Sequence, residues 1–284
     1  MISYPFFIFG LFLGSLLNNI ALRLEAEEPF IFARSKCPKC GKILRWFELI
    51  PIISFVWQKG RCRGCGGKIS WRYPLTEILT GLFVYFLAAK ILPLNSFNQG
   101  SYLLSPLAYF SFLYYLIFLS AFFILALLDW QTRYIDERVI YFSVIFWLTA
   151  AIINQLTRPN IVTVAFSGYF NDFFQLPPGP LGQIFTAFLA TLPFLFLFLI
   201  TFGRGMGLGD AKVAFMMGLF LRPGDLVLSF SLTILLGGLV SLFLLAKNRK
   251  MRQEISYVPF LFLGTLAAMF WGEEIVKIYF KIMQ

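Results

Sequence analysis

The stretch Leu113-Tyr114-Tyr115-Leu116-Ile117-Phe118-Leu119-Ser120-Ala121-Phe122-Phe123-Ile124-Leu125-Ala126-Leu127-Leu128-Asp129-Trp130 decides the architecture. It is the latter part of an uncharged apolar run near 106–128, and it stops on an acid. A helix of that length crosses a hydrocarbon core of roughly 30 Å. Working outward, further runs of spanning length lie near 4–22, 75–93, 139–156, 184–202, 226–246 and 258–280. An eighth, about 211–221, is short, rising only about 17 Å as helix.

The composition agrees with a bilayer as solvent. The chain is 59% hydrophobic and 13% charged, with a mean hydropathy of +0.77, against about 25% charged in soluble domains. The net charge of +10 does not indicate nucleic acid, because the basic residues fall in loops between apolar runs. Tyr4 to Ile20 is no cleaved signal. It has no preceding basic residue and no small-x-small site, and Asn18 and Asn19 interrupt it, so it reads as a retained first span.

If all eight runs cross, segments 23–74, 129–138, 203–212 and 247–254 share one side. They hold 19 of the 24 Lys and Arg. That asymmetry puts them in the cytoplasm and both termini outside. Without a crossing at 211–221, the block Lys247, Arg249, Lys250 and Arg252 would move outside, against the rule. The expected fold is therefore an all-α polytopic membrane protein of about eight transmembrane helices. A small basic cytoplasmic domain is inserted after the first helix. The expected divisions are 1–22, the first helix; 23–74, the cytoplasmic four-cysteine domain; and 75–284, about seven helices. Residues 157–183 form an external loop closed by the stiff connector Leu176-Pro177-Pro178-Gly179-Pro180.

All four cysteines lie in the inserted domain, as Cys37-Pro38-Lys39-Cys40-Gly41 and Cys62-Arg63-Gly64-Cys65-Gly66. Two CxxC turns each aim two thiolates at one tetrahedral ion, the pattern of a Zn²⁺ site. The glycine after each pair tolerates φ > 0 and frees N–H groups to face sulfur. Two disulfides would conflict with a reducing cytoplasm, and a redox CxxC would leave the second pair unexplained. Four thiolates leave no open position for water, so the metal is structural.

The chain has no histidine, which removes Ser-His catalysis, HExxH zinc hydrolysis and any His general base. A Ser-Lys pair or a carboxylate dyad remains. Two acids stand at the ends of apolar runs: Asp129, and Asp210 in Gly205-Met206-Gly207-Leu208-Gly209-Asp210-Ala211-Lys212. By the charge count both face the cytoplasmic leaflet. An ionisable group on a membrane helix is costly and marks function by default, although an acid at a helix end is as often only interfacial. Two carboxyls held close share a proton and activate a water between them. Gly207 and Gly209 allow close backbone approach, and Lys212 either pairs with Asp210 or reaches lipid phosphate. Asp136 and Glu137 read as solvated partners of Arg133 and Arg138. Glu77, Glu273 and Glu274 read as interface residues.

The motif order resembles that of bacterial type IV prepilin peptidases over nearly the whole chain. The likeness runs from Phe9-Gly10-Leu11-Phe12-Leu13-Gly14-Ser15-Leu16-Leu17-Asn18-Asn19 through Trp46-Phe47-Glu48-Leu49-Ile50-Pro51-Ile52-Ile53-Ser54-Phe55 and Ile69-Ser70-Trp71-Arg72-Tyr73-Pro74-Leu75-Thr76-Glu77. It ends in the GxGD stretch and Val258-Pro259-Phe260-Leu261-Phe262-Leu263-Gly264. The resemblance implies a GxGD aspartic peptidase with Asp129 and Asp210 as its acids. It would cut basic leaders from type IV prepilins and type II secretion pseudopilins, then N-methylate the new terminus from S-adenosylmethionine. It also implies that Cys37, Cys40, Cys62 and Cys65 form a zinc module tied to methyl transfer. One departure stands out: the family places proline after Ile135, and this chain has Asp136. Two other readings stay open, a peptidase without methylation and a non-enzymatic scaffold using the cysteine module for binding.

Overall fold

The computed structural model describes residues 4–28, 35–92, 106–157, 179–203, 206–247 and 256–283. Gly205, Leu176 to Pro178, and Arg249, Lys250 and Arg252 lie outside them. The helices are α1 (Tyr4–Glu25), α2 (Ile53–Trp57), α3 (Arg72–Ile91), α4 (Pro106–Thr132), α5 (Glu137–Thr157), α6 (Pro180–Thr201), α7 (Leu208–Phe220), α8 (Pro223–Ala246) and α9 (Val258–Met283). Among the described residues the only extended pairings are two isolated bridges, Lys36 with Ile43 and Arg61 with Lys68. Among the described residues seven helices are long and apolar enough to cross a membrane. The eighth, α7, has 13 residues, about 20 Å at the helical rise. Three of the long helices begin at a proline, Pro106, Pro180 and Pro223, where a missing N–H forfeits nothing.

The chain divides into two compact units, Met1–Pro106 and Leu107–Gln284. In the first, α1 and α3 pack antiparallel at backbone distance. A Cβ on Gly10 would stand 2.8 Å from the Gly81 Cα, and one on Gly14 would stand 2.9 Å from the Glu77 Cα. This is small-residue packing, the means by which helices associate where no hydrophobic drive exists. The cysteine loops and α2 fill the connection between these two helices.

In the second unit α4 forms the centre, and Phe118, Phe122, Leu119 and Leu125 are fully buried. The Phe220 ring at the end of α7 stacks on Phe118 with centroids 4.5 Å apart. α7 lies antiparallel to α6: a Cβ on Gly218 would come within 2.4 Å of the Ala187 Cα, and Phe215 meets Phe188. α8 and α9 are joined, also antiparallel, by the Ser229–Thr265 hydroxyl pair at 2.9 Å and by Thr233 donating to the Phe260 carbonyl at 3.2 Å. α7 therefore carries the chain away from the end bearing Asp129 and α8 brings it back. The turn between them lies deep, since Arg222 and Asp225 interact with Tyr115 of α4, about 20 Å from Asp129 along the helix.

Candidate active site and cysteine cluster

Asp129 lies in the last turn of α4 and is 6% exposed. Its Oδ2 accepts the Val258 N–H at 3.1 Å, at the first turn of α9, and the Tyr257 N–H also bonds to its carboxylate. The Ser256 hydroxyl donates to its backbone carbonyl at 2.9 Å. The start of α9 thus turns otherwise orphaned helix donors onto this acid. Asp210 stands in the first turn of α7, half-buried, and receives the Gly207 N–H. The two acids are close enough for the Asp129 charge to act on Asp210, and Tyr257 interacts with Asp210 as well. Two carboxyls distant in the chain share one site, with backbone donors aimed at both.

Gly209 packs closely against Ile135. A Cβ there would stand 2.6 Å from the Ile135 Cδ1, so the bare backbone of the first α7 turn lies against the isoleucine that follows α4. Gly207 extends before the helix with φ −80° and ψ 154°; a Cβ there would make only ordinary contacts, 3.8 Å from the Gly209 N and 4.0 Å from the Asp210 Oδ2. Lys212 does not pair with Asp210; its Nζ bonds the Glu137 Oε1, and Tyr141 donates to the Glu137 Oε2 at 3.1 Å. Glu137 thus bridges α5 to α7. Asp136 pairs with Arg138 but is buried, at 4% exposed. It accepts the Arg138 backbone N–H at 2.8 Å and its guanidinium at 2.7–3.1 Å. Asp136 caps α5, supplying by side chain the helix start that a proline supplies by its fixed φ. Of the expected pairing of Asp136 and Glu137 with Arg133 and Arg138, the Asp136–Arg138 pair is present; Asp136 is buried rather than solvated, and Glu137 turns to Lys212 of α7 instead. Glu77 is buried too, at 7% exposed.

The four cysteine sulfurs lie within 4.8 Å of one another. Each CxxC closes the same knuckle. Cys37 N–H bonds the Lys42 carbonyl, and Gly41 N–H the Cys37 carbonyl, both at 2.9 Å. Cys62 N–H bonds the Gly67 carbonyl at 2.9 Å and Gly66 N–H the Cys62 carbonyl at 2.8 Å. Gly41 and Gly66 take φ of +70° and +67°, as expected of the residue after each pair. N–H groups of Cys65 and Gly64 face the Cys62 sulfur and hold its thiol down to about 6. This is a thiolate cage with four soft donors, a fit for a tetrahedral metal ion. Outside it, Lys42 bonds Glu48 at 2.8 Å, and Arg63 lies over Phe47 and Trp57.

The roles of Tyr257 and Val258 were not foreseen, although Val258-Pro259 was among the quoted stretches. A contact made by backbone N–H groups leaves no residue-type signature.

The comparisons bear on both units. Residues 8–91 match the Bacterial Peptidase A24 N-terminal domain and residues 116–242 the Type IV leader peptidase family. A prepilin leader peptidase/N-methyltransferase of Bacillus subtilis (strain 168) is 31% identical over 277 residues, covering 97% of each chain. A protein of the same name from Aeromonas salmonicida (strain A449) is 27% identical, covering 96% of this chain and 92% of its own. One from Myxococcus xanthus (strain DK1622) is 47% identical over 79 residues, 28% of this chain and 24% of that relative. No solved structure matches. With both halves matched in order and a relative aligned from end to end, the chain belongs to the type IV leader peptidase family.

Proposed function

We infer that this chain is a membrane leader peptidase that cuts type IV prepilins and type II secretion pseudopilins, and then N-methylates the new amino terminus from S-adenosylmethionine. Asp129 and Asp210 serve as its catalytic acids. The observation that supports the peptidase most is the convergence of two carboxyls on one site in a chain without histidine. Like charges at close range do not both ionise. The protonated carboxyl hydrogen-bonds the scissile carbonyl; the ionised one takes a proton from water as its oxygen adds to the carbon. Collapse of the adduct breaks the C–N bond, and the leaving amine takes a proton. The N–H groups of Val258 and Gly207 hold the carboxylates in orientation. Gly207 leaves the approach to α7 uncrowded for an extended substrate, Gly209 seats that turn against Ile135, and Lys212 fixes it through Glu137.

The four thiolates of Cys37, Cys40, Cys62 and Cys65 hold structural Zn²⁺. The basic segments support a cytoplasmic side of the cell membrane for the cysteine domain and for both aspartates. In the methylation, the S–CH₃ bond of the donor breaks as the N–CH₃ bond forms. The amine releases a proton and S-adenosylhomocysteine remains.

The test is cleavage of a leader-bearing pilin peptide in detergent by Asp129→Asn and Asp210→Asn. Each is expected to lose at least about a hundredfold, the scale of general acid–base catalysis. Normal cleavage by either would remove it from the dyad. Mass analysis of the mature terminus reads the methyl group separately.

A further inference from the structure

The first unit contains a cleft of about 680 Å³ between the end of α1, the cysteine loops and the start of α3, within the range of small-molecule sites. Ser15, Asn19, Ser54, Gln58, Tyr73 and Glu77 are among its lining residues. These positions come from three separate stretches of the chain and converge on one cavity that the peptide-bond chemistry does not use.

Two buried carboxylates face the cleft, and they differ. Glu48 is neutralised: Lys42 bonds it at 2.8 Å and the Arg45 N–H at 2.9 Å. Glu77 receives only neutral donors, the Ile52 N–H at 2.8 Å and the Ser15 hydroxyl. Arg23, Lys36, Lys39 and Lys68 also line the cleft, but among the described residues none of them forms an ion pair with Glu77. A carboxylate out of water without a countercharge is expensive, so the site calls for a positive charge from a ligand. The backbone holding Glu77 is itself strained. Ile52 has φ +61° and ψ −51°, a genuine outlier for a β-branched side chain. Such strain gathers where a site needs a group held in place, and here it aims an N–H at Glu77.

We propose that this cleft binds S-adenosylmethionine with its sulfonium beside the Glu77 carboxylate. The proposal rests on the methyltransferase reading above and names the site for it. The apolar part of the wall, with Leu44, Phe55 and Ile69, offers a face to the adenine, and the acid selects the charged donor over its neutral product.

Calorimetric titration of the full-length, zinc-loaded enzyme in detergent tests it, with S-adenosylmethionine and S-adenosylhomocysteine as probes. The wild type is expected to prefer the sulfonium compound. Glu77→Gln should lower that affinity about tenfold, roughly one charge-assisted contact, and change binding of the thioether less than about twofold. An unchanged preference, or an equal fall for both probes, overturns the sulfonium placement. Should Glu77→Gln lose zinc, Ser54→Phe serves instead, filling the cleft from α2. It is expected to abolish binding of both probes with the zinc content intact, and wild-type binding by this variant overturns the cleft. Leader cleavage by the wild type is measured in the same preparation. Cleavage without binding of either probe rejects this inference while the peptidase stands; no cleavage rejects the peptidase.

Discussion

Asp136 shows how a single residue replaces a lost backbone device. Its cap and its ion pair with Arg138 join in one buried group, so Asp136→Ala is expected to destabilise the second unit by about 1 kcal/mol, read as a lower melting temperature in detergent. The side-chain bond from Arg138 holds the Asp136 carboxyl below its ordinary value. A group with a depressed folded pKa stabilises fully above its unfolded pKa and loses that contribution as pH falls through the folded one. The penalty should therefore be equal at pH 6 and 8 and shrink below about pH 4. Gly209 and Ile135 form a second residue-level case. Gly209→Ala should slow leader cleavage, and Ile135→Val should recover part of the loss, a non-additive pair read by a double-mutant cycle. Asp129, Asp210 and the cysteines were legible because their chemistry is out of place in an apolar chain or repeats at ligand spacing. The Glu137–Lys212 bond and the Val258 N–H were not, because contacts across 75 and 129 positions have no local pattern.

Among the elements, α7 owes its place to Gly218. The atom 2.4 Å from a Cβ there is backbone and cannot turn aside. Gly218→Ala must push α6 and α7 apart, with an expected loss of about 1–3 kcal/mol as for other overpacked cores, checked by thermal unfolding. Tyr114 offers the opposite sign. Its hydroxyl is buried between α4 and the Phe220 ring and meets no protein partner among the described residues. Tyr114→Phe is expected to stabilise by about 1 kcal/mol or leave stability unchanged. All eight apolar runs of the sequence became helices. The starts of α3, α5, α6, α7 and α8 fall two to four residues before their runs; in α5, α6 and α8 the Asp136 cap, Pro180 and Pro223, not hydropathy, set the first turn. The short run was readable as helix, but its burial inside the bundle was not: Val213, Ala214, Met216 and Met217 are fully enclosed by partners that hydropathy cannot name.

At the scale of the molecule, the cysteine loops and the aspartate site belong to different compact units. Chelation of the metal should expose residues 35–70 to limited proteolysis while α4 to α9 remain protected, since ligand release unfolds the knuckles it closes. Cleavage spread evenly over both units would count against this. The sequence carried the membrane class and the inserted module, but not that α3 packs with α1, because a glycine seam is invisible to a hydropathy window. The free ends of α6 and α8 carry a last consequence. Phe194 meets Tyr257 and Thr233 meets Phe260 near the acids, yet α6 runs on to Thr201 and α8 to Ala246, about 10 and 20 Å farther. Leu199, Ile200, Leu242 and Phe243 on those ends are exposed and apolar. A leader that reaches the acids alongside those ends would span about three to six extended residues. Leaders trimmed below that length are then expected to escape cutting however basic they are, which a ladder of truncated peptides would read directly.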